Sequence, residues 1–265
     1  MQKRRLDQRV FELGLAESRE KARALIMAGS VYVNGQKQLK PGTPVAEDAA
    51  VEARGEKLPF VSRGGLKLQK ALEVFSIDPA GFVCVDCGAS TGGFTDCLLQ
   101  RGAKHVSAVD VGYGQLAWSL RSDERVTVME RTNARSLTPD MFPEPMDMAV
   151  MDMSFISLRL VLPAVRTLLR ASGQVVCLVK PQFEAGREKV GKKGVVRDPA
   201  VHREVLEDFL RDAGTLGFCA EGLDFSPVRG PEGNIEYLAW LKMEGDPVSV
   251  DCAELVRRSH EALDR

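Results

Sequence analysis

Cysteine, histidine and aromatic residues are all scarce in this 265-residue chain: six Cys, three His, and 6% Phe, Trp and Tyr together. So few cysteines over that length cannot frame a disulfide scaffold, and most stand inside apolar runs, where a thiol packs as a small hydrophobe. Cys84 and Cys87 form a lone C-x-x-C. With no second pair, the spacing predicts strand residues rather than a metal site. No apolar run approaches the roughly 20 residues that a membrane span needs. Basic Met1 to Arg5 is followed by no apolar signal region, so the expectation is a cytoplasmic protein with no membrane partner. A composition of 44% hydrophobic and 28% charged residues excludes disorder and collagen, leaving one large or two unequal domains.

An excess of either charge is missing too, the net being −1. That balance conceals an asymmetry. Residues 1–70 hold 14 Lys+Arg against 8 Asp+Glu, a net of +6, whereas the remainder holds 22 against 29, a net of −7. A basic appendage on an acidic body is the footprint of a nucleic-acid-binding module joined to something else.

Within the basic part, Leu6 to Leu13 reads as a short helix stopped by Gly14, and Ser18 as the N-cap of a second, Arg19 to Met27. Ala22, Leu25 and Ile26 form the inward stripe of that helix, with Arg19 and Arg23 one turn apart at its edge. Val31 to Val33, the hairpin signal Asn34-Gly35, the Pro41 to Pro44 segment and a strand at Val51 complete a small α+β unit. On R-L-D (Arg5 to Asp7), S-R-E-K-A (Ser18 to Ala22) and I-M-A-G-S-V-Y-V-N-G (Ile26 to Gly35), the unit resembles the alpha-L RNA-binding fold. The resemblance implies that Arg19 and Arg23 face RNA phosphates, which would position the module without choosing a sequence.

From Phe82 the pattern changes to apolar runs alternating with helical segments: Phe82 to Asp86, Val106 to Asp110, Val126 to Met129, Met148 to Asp152 and Val175 to Val179. Such alternation predicts a parallel, doubly wound sheet. Leu216 to Phe225 and Ile235 to Leu241 read as a closing hairpin around a turn at Arg229 to Asn234. After the first strand stands D-C-G-A-S-T-G-G-F (Asp86 to Phe94), and the second strand ends at Asp110, placed to accept from both hydroxyls of a ribose. A dinucleotide fingerprint would be G-x-G-x-x-G, but this loop runs G-x-x-x-G-G and lacks the glycine that admits a pyrophosphate. S-adenosylmethionine, which has no phosphate, suits it better. Asn133, after the third strand, is placed to read adenine.

Asp152 ends one strand and Lys180 the next, where Pro181 stops the ladder. Glu236 is odder, a carboxylate on the apolar face of Leu238 and Trp240, where it needs a partner. Lys67 flanks the stripe Leu68, Ala71, Leu72 and Phe75 and can reach inward, whereas Lys70 points the other way. Two lysines and two acids beside a methyl donor match the demand of methylating a ribose hydroxyl, too weakly acidic to ionise at neutral pH. A lysine serves as base when burial and a second ammonium lower its pKa toward ~7 to 8.

Nearly the whole chain is similar to the TlyA family, ribosomal RNA 2'-O-methyltransferases once called hemolysins, with an FtsJ-like catalytic domain. The likeness rests on V-S-R-G-G-L-K-L (Val61 to Leu68), Asp86 to Asp96, V-D-V-G-Y-G-Q-L (Val109 to Leu116), R-T-N-A-R (Arg131 to Arg135), M-D-M-S-F-I-S (Met151 to Ser157), L-V-K-P-Q-F-E (Leu178 to Glu184) and G-N-I-E-Y (Gly233 to Tyr237). It implies an α/β fold with a Rossmann-like class I methyltransferase sheet, helices on both faces, over residues 59–265, behind an α+β RNA-binding domain over residues 1–58. It implies a catalytic set of Lys67, Asp152, Lys180 and Glu236, with Lys180 as main base. S-adenosylmethionine is then expected at Asp86, Gly88, Ala89, Ser90, Thr91, Gly92, Gly93, Phe94, Asp110, Val111, Asn133, Ala134 and Asp152. Ribosomal RNA is expected at Arg4, Arg5, Arg19, Arg23, Arg63, Lys189, Lys192 and Lys193, the product being a 2'-O-methylcytidine. The basic segment Glu184 to Asp198 reads as too polar to pack, hence mobile until RNA binds. Competing readings are a non-catalytic RNA-binding protein and a membrane-lytic one; the second requires an exposed amphipathic segment that is not evident.

Overall fold

The computed structural model describes residues 3–16, 18–27, 29–53, 58–230, 232–246 and 248–264. The chain divides into two compact units, Met1–Lys57 and Leu58–Arg265. The stretch 54–57 beside the expected domain boundary, and Pro231 of the expected turn, lie outside the described residues.

In the first unit, strand β1 (Lys3–Arg5) leads into α1 (Leu6–Glu12), and α2 (Arg19–Met27) follows. The Ser18 hydroxyl accepts from Lys21 N, capping α2 as its sequence predicts. β2 (Val31–Val33) lies between β3 (Gln36–Gln38) and β5 (Val51–Ala53), and β4 (Pro44–Ala46) pairs with β1. Leu6, Val10, Ala22, Ile26, Val31 and Val45 form the core. Asp7 is buried among them, a carboxylate that the helical stripe did not foretell.

The second unit is built on seven strands: β6 (Val83–Cys87), β7 (His105–Val109), β8 (Val126–Met129), β9 (Met146–Met151), β10 (Leu169–Val179), β11 (Cys219–Phe225) and β12 (Tyr237–Lys242). Their order is β8-β7-β6-β9-β10-β12-β11. The first five are parallel, and β12 enters antiparallel between β10 and β11. The sheet is therefore mixed, not wholly parallel. Alternation of side chains decides the layers. Cys84, Val106, Met148, Val150, Val176 and Leu238 face α3 (Gly64–Val74) and α4 (Gly93–Gln100). Val85, Cys87, Val109, Met151, Cys177 and Ala239 face α6 (Leu162–Leu168), α8 (Pro199–Thr215) and α9 (Cys252–Leu263). Cys84 and Cys87 thus point to opposite faces and cannot share an ion. Two short helices, α5 (Trp118–Arg121) and α7 (Pro181–Glu184), sit at strand ends.

Strand register aligns the functional edge. Cys87 pairs with both Val109 and Met151, so Gly88, Asp110 and Asp152 follow three adjacent strands at one level. Val179 pairs with Tyr237 across the antiparallel step, which puts Lys180 and Glu236 next to each other just beyond the ladder.

Candidate active site

Lys67, Asp152, Lys180 and Glu236 come together at this carboxyl edge. Lys67 Nζ lies 2.6 Å from Glu236 Oε2 and 3.4 Å from Asp152 Oδ2, while Lys180 Nζ lies 2.5 Å from Asp152 Oδ1 and donates to Ser154 Oγ at 3.2 Å. The four form one chain of alternating charge, Glu236, Lys67, Asp152, Lys180. Both lysines are 5% exposed and Glu236 is 1% exposed, so the set is removed from water and its charges balance within it. Burial alone would lower Lys67, yet Asp152 and Glu236 outweigh it and hold its ammonium above the ordinary lysine value. The expected downward shift of a lysine is therefore reversed at Lys67, which stays charged. Burial likewise works to raise Asp152, but Lys180 and Lys67 together keep its carboxyl below the usual range. Lys70, one turn from Lys67, bonds instead to Asp224 and to the Phe225 carbonyl.

Beside this chain the Gly88 to Phe94 loop approaches closely. A Cβ on Gly88, whose φ is +83°, would stand 2.9 Å from the Asp152 carbonyl oxygen, so only glycine fits. Asp110 accepts from Ser90 N through Oδ2 (2.8 Å) and from Gly112 N through Oδ1 (2.6 Å). Each oxygen keeps a lone pair for a hydroxyl. Val111 is exposed and offers an apolar surface beside the acid. The Asn133 side-chain oxygen Oδ1 accepts from Arg135 N, leaving the side-chain NH2 to donate. Ser90 and Thr91 are exposed, while Ala89, Gly92, Gly93, Phe94 and Ala134 are buried beneath the loops.

Asp86 also turns inward. One of its oxygens accepts from Thr95 N (3.0 Å) and Thr95 Oγ1 (2.7 Å), holding the start of α4, and Oδ1 has no partner among the described residues. Burial pushes this carboxyl up to about 7, against the opposing pull of Thr95. Asp86, Phe94 and Ala134 are thus buried beneath the loops at this edge. The acid at the second strand end, the glycine loop without a phosphate cradle and the exposed Val111 fit a nucleoside that carries no phosphate.

Several features of the site lie outside what the residue pattern revealed. Phe155, three residues after Asp152, is 91% exposed at φ +63°, and its ring lies 5.2 Å from that of Phe183. Ser90 and Arg131, at the ends of other strands, also adopt positive φ. Such strain in non-glycine residues persists where surrounding structure enforces it, often at ligand sites. Glu184 supplies that enforcement at Phe155: its carboxylate accepts from Ser157 Oγ (2.5 Å) and Leu158 N (2.8 Å). Burial pushes its pKa up, which those two bonds only partly offset.

The cations expected to face RNA divide. Arg5 and Arg19 both bond to buried Asp7, Arg4 pairs with Glu12 and Glu47, and Lys189 pairs with Glu204. Arg23, Arg63, Lys192 and Lys193 are exposed. The segment after Lys180 differs from its sequence expectation. Val195 and Val196 are buried, and Asn234 bonds to Gly194 O and Val196 N, so the segment is anchored. Its two adjacent valines, among many charges, were too short an apolar signal. Among the described residues no group of three His, Cys, Asp or Glu could hold a metal, and no helix is long and apolar enough to cross a membrane.

Residues 60–243 match the FtsJ-like methyltransferase family and residues 4–51 the S4 domain. The chain is 49% identical over 243 residues to the 16S/23S rRNA (cytidine-2'-O)-methyltransferase TlyA of Mycobacterium tuberculosis, covering 91% of each chain. It is 42% identical over 236 residues to Hemolysin A of Brachyspira hyodysenteriae, covering 89% of this chain and 98% of that one. A solved structure from Streptococcus thermophilus that carries a hemolysin name superposes with a TM-score of 0.80 at 47% identity, covering 100% of this chain and 98% of the other. With an FtsJ-like methyltransferase match over residues 60–243 and an S4 domain before it, the chain belongs to the TlyA family of ribosomal RNA 2'-O-methyltransferases.

Proposed function

We propose that this protein transfers a methyl group from S-adenosylmethionine to the 2'-hydroxyl of a cytidine in ribosomal RNA. The observation that carries the reading is the buried Glu236, Lys67, Asp152, Lys180 chain at the strand edge, beside a loop suited to a nucleoside without phosphate. The cytidine is carried over from the named Mycobacterium relative.

Asp110 would hold the cofactor ribose, Val111 would lie against its base and the NH2 of Asn133 would reach the base edge. Bound there, the cofactor supplies a methyl carbon on a positive sulfur, which keeps the bonding electron pair as the carbon leaves. Lys180, once it has released one ammonium proton to solvent, takes the 2'-hydroxyl proton on the lone pair of Nζ as that oxygen bonds to the methyl carbon. The charge arriving on Lys180 is met by Asp152 Oδ1 at 2.5 Å and by Ser154 Oγ, already in place before the step. Lys67, clamped between Glu236 and Asp152, fixes the orientation of Asp152. Phe155 offers a ring on which the target base can stack once it leaves its helix, a contact worth ~1 to 3 kcal/mol.

The test is transfer of labelled methyl from S-adenosylmethionine to ribosomal subunits, followed by alkaline hydrolysis. A ribose 2'-O-methyl leaves an alkali-resistant dinucleotide containing cytidine; a label released in mononucleotides would refute the reading. Lys180→Ala should abolish transfer while S-adenosylhomocysteine affinity stays near wild type.

A further inference from the structure

We infer that the stretch from Gly191 to Arg197 is a preformed seat for the phosphodiester backbone of the substrate RNA, locked in register with Glu236 by Asn234 and His202 acting as positioning residues. The inference rests on the RNA-methylating reading above and adds to it a second surface and the parts that set its distance from the reacting group.

The lock is a set of backbone bonds. Asn234, buried, accepts from Val196 N at 3.0 Å through Oδ1 and donates to Gly194 O at 2.9 Å through Nδ2. His202, fully buried, places Nε2 2.9 Å from Val196 O, and because a carbonyl only accepts, Nε2 carries the proton. Nδ1 then accepts from the Tyr237 hydroxyl at 2.7 Å, and Ser259 Oγ stands 3.1 Å from that hydroxyl. Three backbone atoms of Gly194 and Val196 are thus gripped by two side chains. Both grips lead to the stretch that carries Glu236 into β12, since Asn234 precedes Glu236 by two residues and Tyr237, the first residue of β12, follows it directly. Gly230, whose N–H donates to Asn234 O, lies so close that a Cβ there would stand 2.7 Å from Glu236 Oε1.

The charges on this anchored stretch are free to act. Lys192, Lys193 and Arg197 are exposed and form no ion pair among the described residues, whereas Lys189 is matched by Glu204, Arg229 by Asp264, and the Asp198 side chain caps α8. Two cavities adjoin here, of about 310 and 540 Å³, and share Val195 and Arg197 in their walls. Three cations without an ion pair among the described residues, set beside these two cavities, suit a polyanion whose charges repeat along a strand. A rigid seat also leaves less conformational freedom to lose when the strand docks.

The experiment uses the full chain. In the triple variant Lys192→Ala, Lys193→Ala, Arg197→Ala, half-saturation by ribosomal subunits should rise about tenfold or more, and the salt slope of RNA affinity should fall by about three. Affinity for S-adenosylhomocysteine should be unchanged. Trypsin should cleave after Lys192 and Lys193 slowly in the RNA-free wild type and quickly in Asn234→Ala and His202→Leu. His202→Gln, which can donate to Val196 O and accept from Tyr237, should restore both protection and half-saturation, a rescue that general loss of fold would not show. Rapid cleavage of the RNA-free wild type, or a triple variant with unchanged half-saturation and slope, would overturn the inference. So would a triple variant that loses binding of a poly-glutamate probe but not of RNA. A wild type that binds RNA with the expected slope yet transfers no methyl would instead reject the function proposed above.

Discussion

Lys67 is the residue on which two carboxylates depend. Its ammonium joins Glu236 at 2.6 Å and Asp152 at 3.4 Å, and with both lysines in place the set carries no net charge. Lys67→Met leaves Glu236, 1% exposed, without its cation, which costs about 3 to 5 kcal/mol in a buried pair. Adding Glu236→Gln to that variant should recover much of the loss, and urea unfolding of the two singles and the double would show it. Additive losses would mean that the pair is not coupled. Asp86 makes the opposite case, a buried acid with no paired cation among the described residues. Its folded-state pKa of about 7 lies above the ordinary 3.8, so its contribution to stability is present below about pH 3.8 and is lost as pH rises through about 7. Asp86→Asn should therefore gain on the wild type between pH 5 and pH 8 by roughly 1 to 3 kcal/mol. An equal difference in unfolding free energy at the two pH values would reject that assignment.

At the scale of the element, most of what positions the site was legible in the chain. Apolar runs marked the parallel strands, and the charged residue ending each run marked the edge. Glu236 was legible because a carboxylate on an apolar face demands a partner. What stayed hidden were the bonds that cross between elements. His202 meets Tyr237 and Tyr237 meets Ser259 over separations of 35 and 22 residues, and periodicity reports only on neighbours along one helix or strand. The closing hairpin was legible as two apolar runs about a turn, but not that β12 enters between β10 and β11, since an apolar run does not state its neighbour. Glu184 illustrates the gap. It was visible as part of L-V-K-P-Q-F-E, but its task, tying α7 to the turn that carries Phe155, appears only in space. Glu184→Ala should release that turn and raise RNA half-saturation several-fold with cofactor affinity intact, while Glu184→Gln, still able to bond Leu158 N and Ser157 Oγ, should retain most function. In a Phe155→Ala background, Glu184→Ala should add little. A full additional loss there would show that Glu184 acts through something other than the aromatic turn.

Across the whole molecule, the charge asymmetry read from the sequence shrinks when the division is made where the structure makes it. Residues 1–57 hold 11 Lys+Arg against 8 Asp+Glu, a net of +3, and residues 58–265 hold 25 against 29, a net of −4. The cations that change sides are Arg63, Lys67 and Lys70, and the two lysines are bound to carboxylates in the catalytic unit. Bulk charge is thus a modest guide to RNA affinity, and individual exposed cations matter more. In the S4 unit these are unequal. Arg19 already bonds to buried Asp7, which also takes Arg5 in a fork and keeps its carboxyl below the usual range despite burial. Arg23 is exposed with no ion pair among the described residues. Arg23→Ala should therefore lower the salt slope of RNA affinity by about one, and Arg19→Ala by less, because a guanidinium committed to an acid holds fewer counterions to release. The catalytic unit, residues 58–265, has its own two-sided core and should fold alone and bind S-adenosylhomocysteine as the full chain does. Its methyl transfer to ribosomal subunits should fall at least about tenfold in kcat/KM, mainly through half-saturation, since phosphate contacts of the S4 unit position the substrate without touching the reacting ribose. Transfer by residues 58–265 at the full chain's efficiency, or equal slopes for the two arginine variants, would remove the S4 unit from substrate recognition.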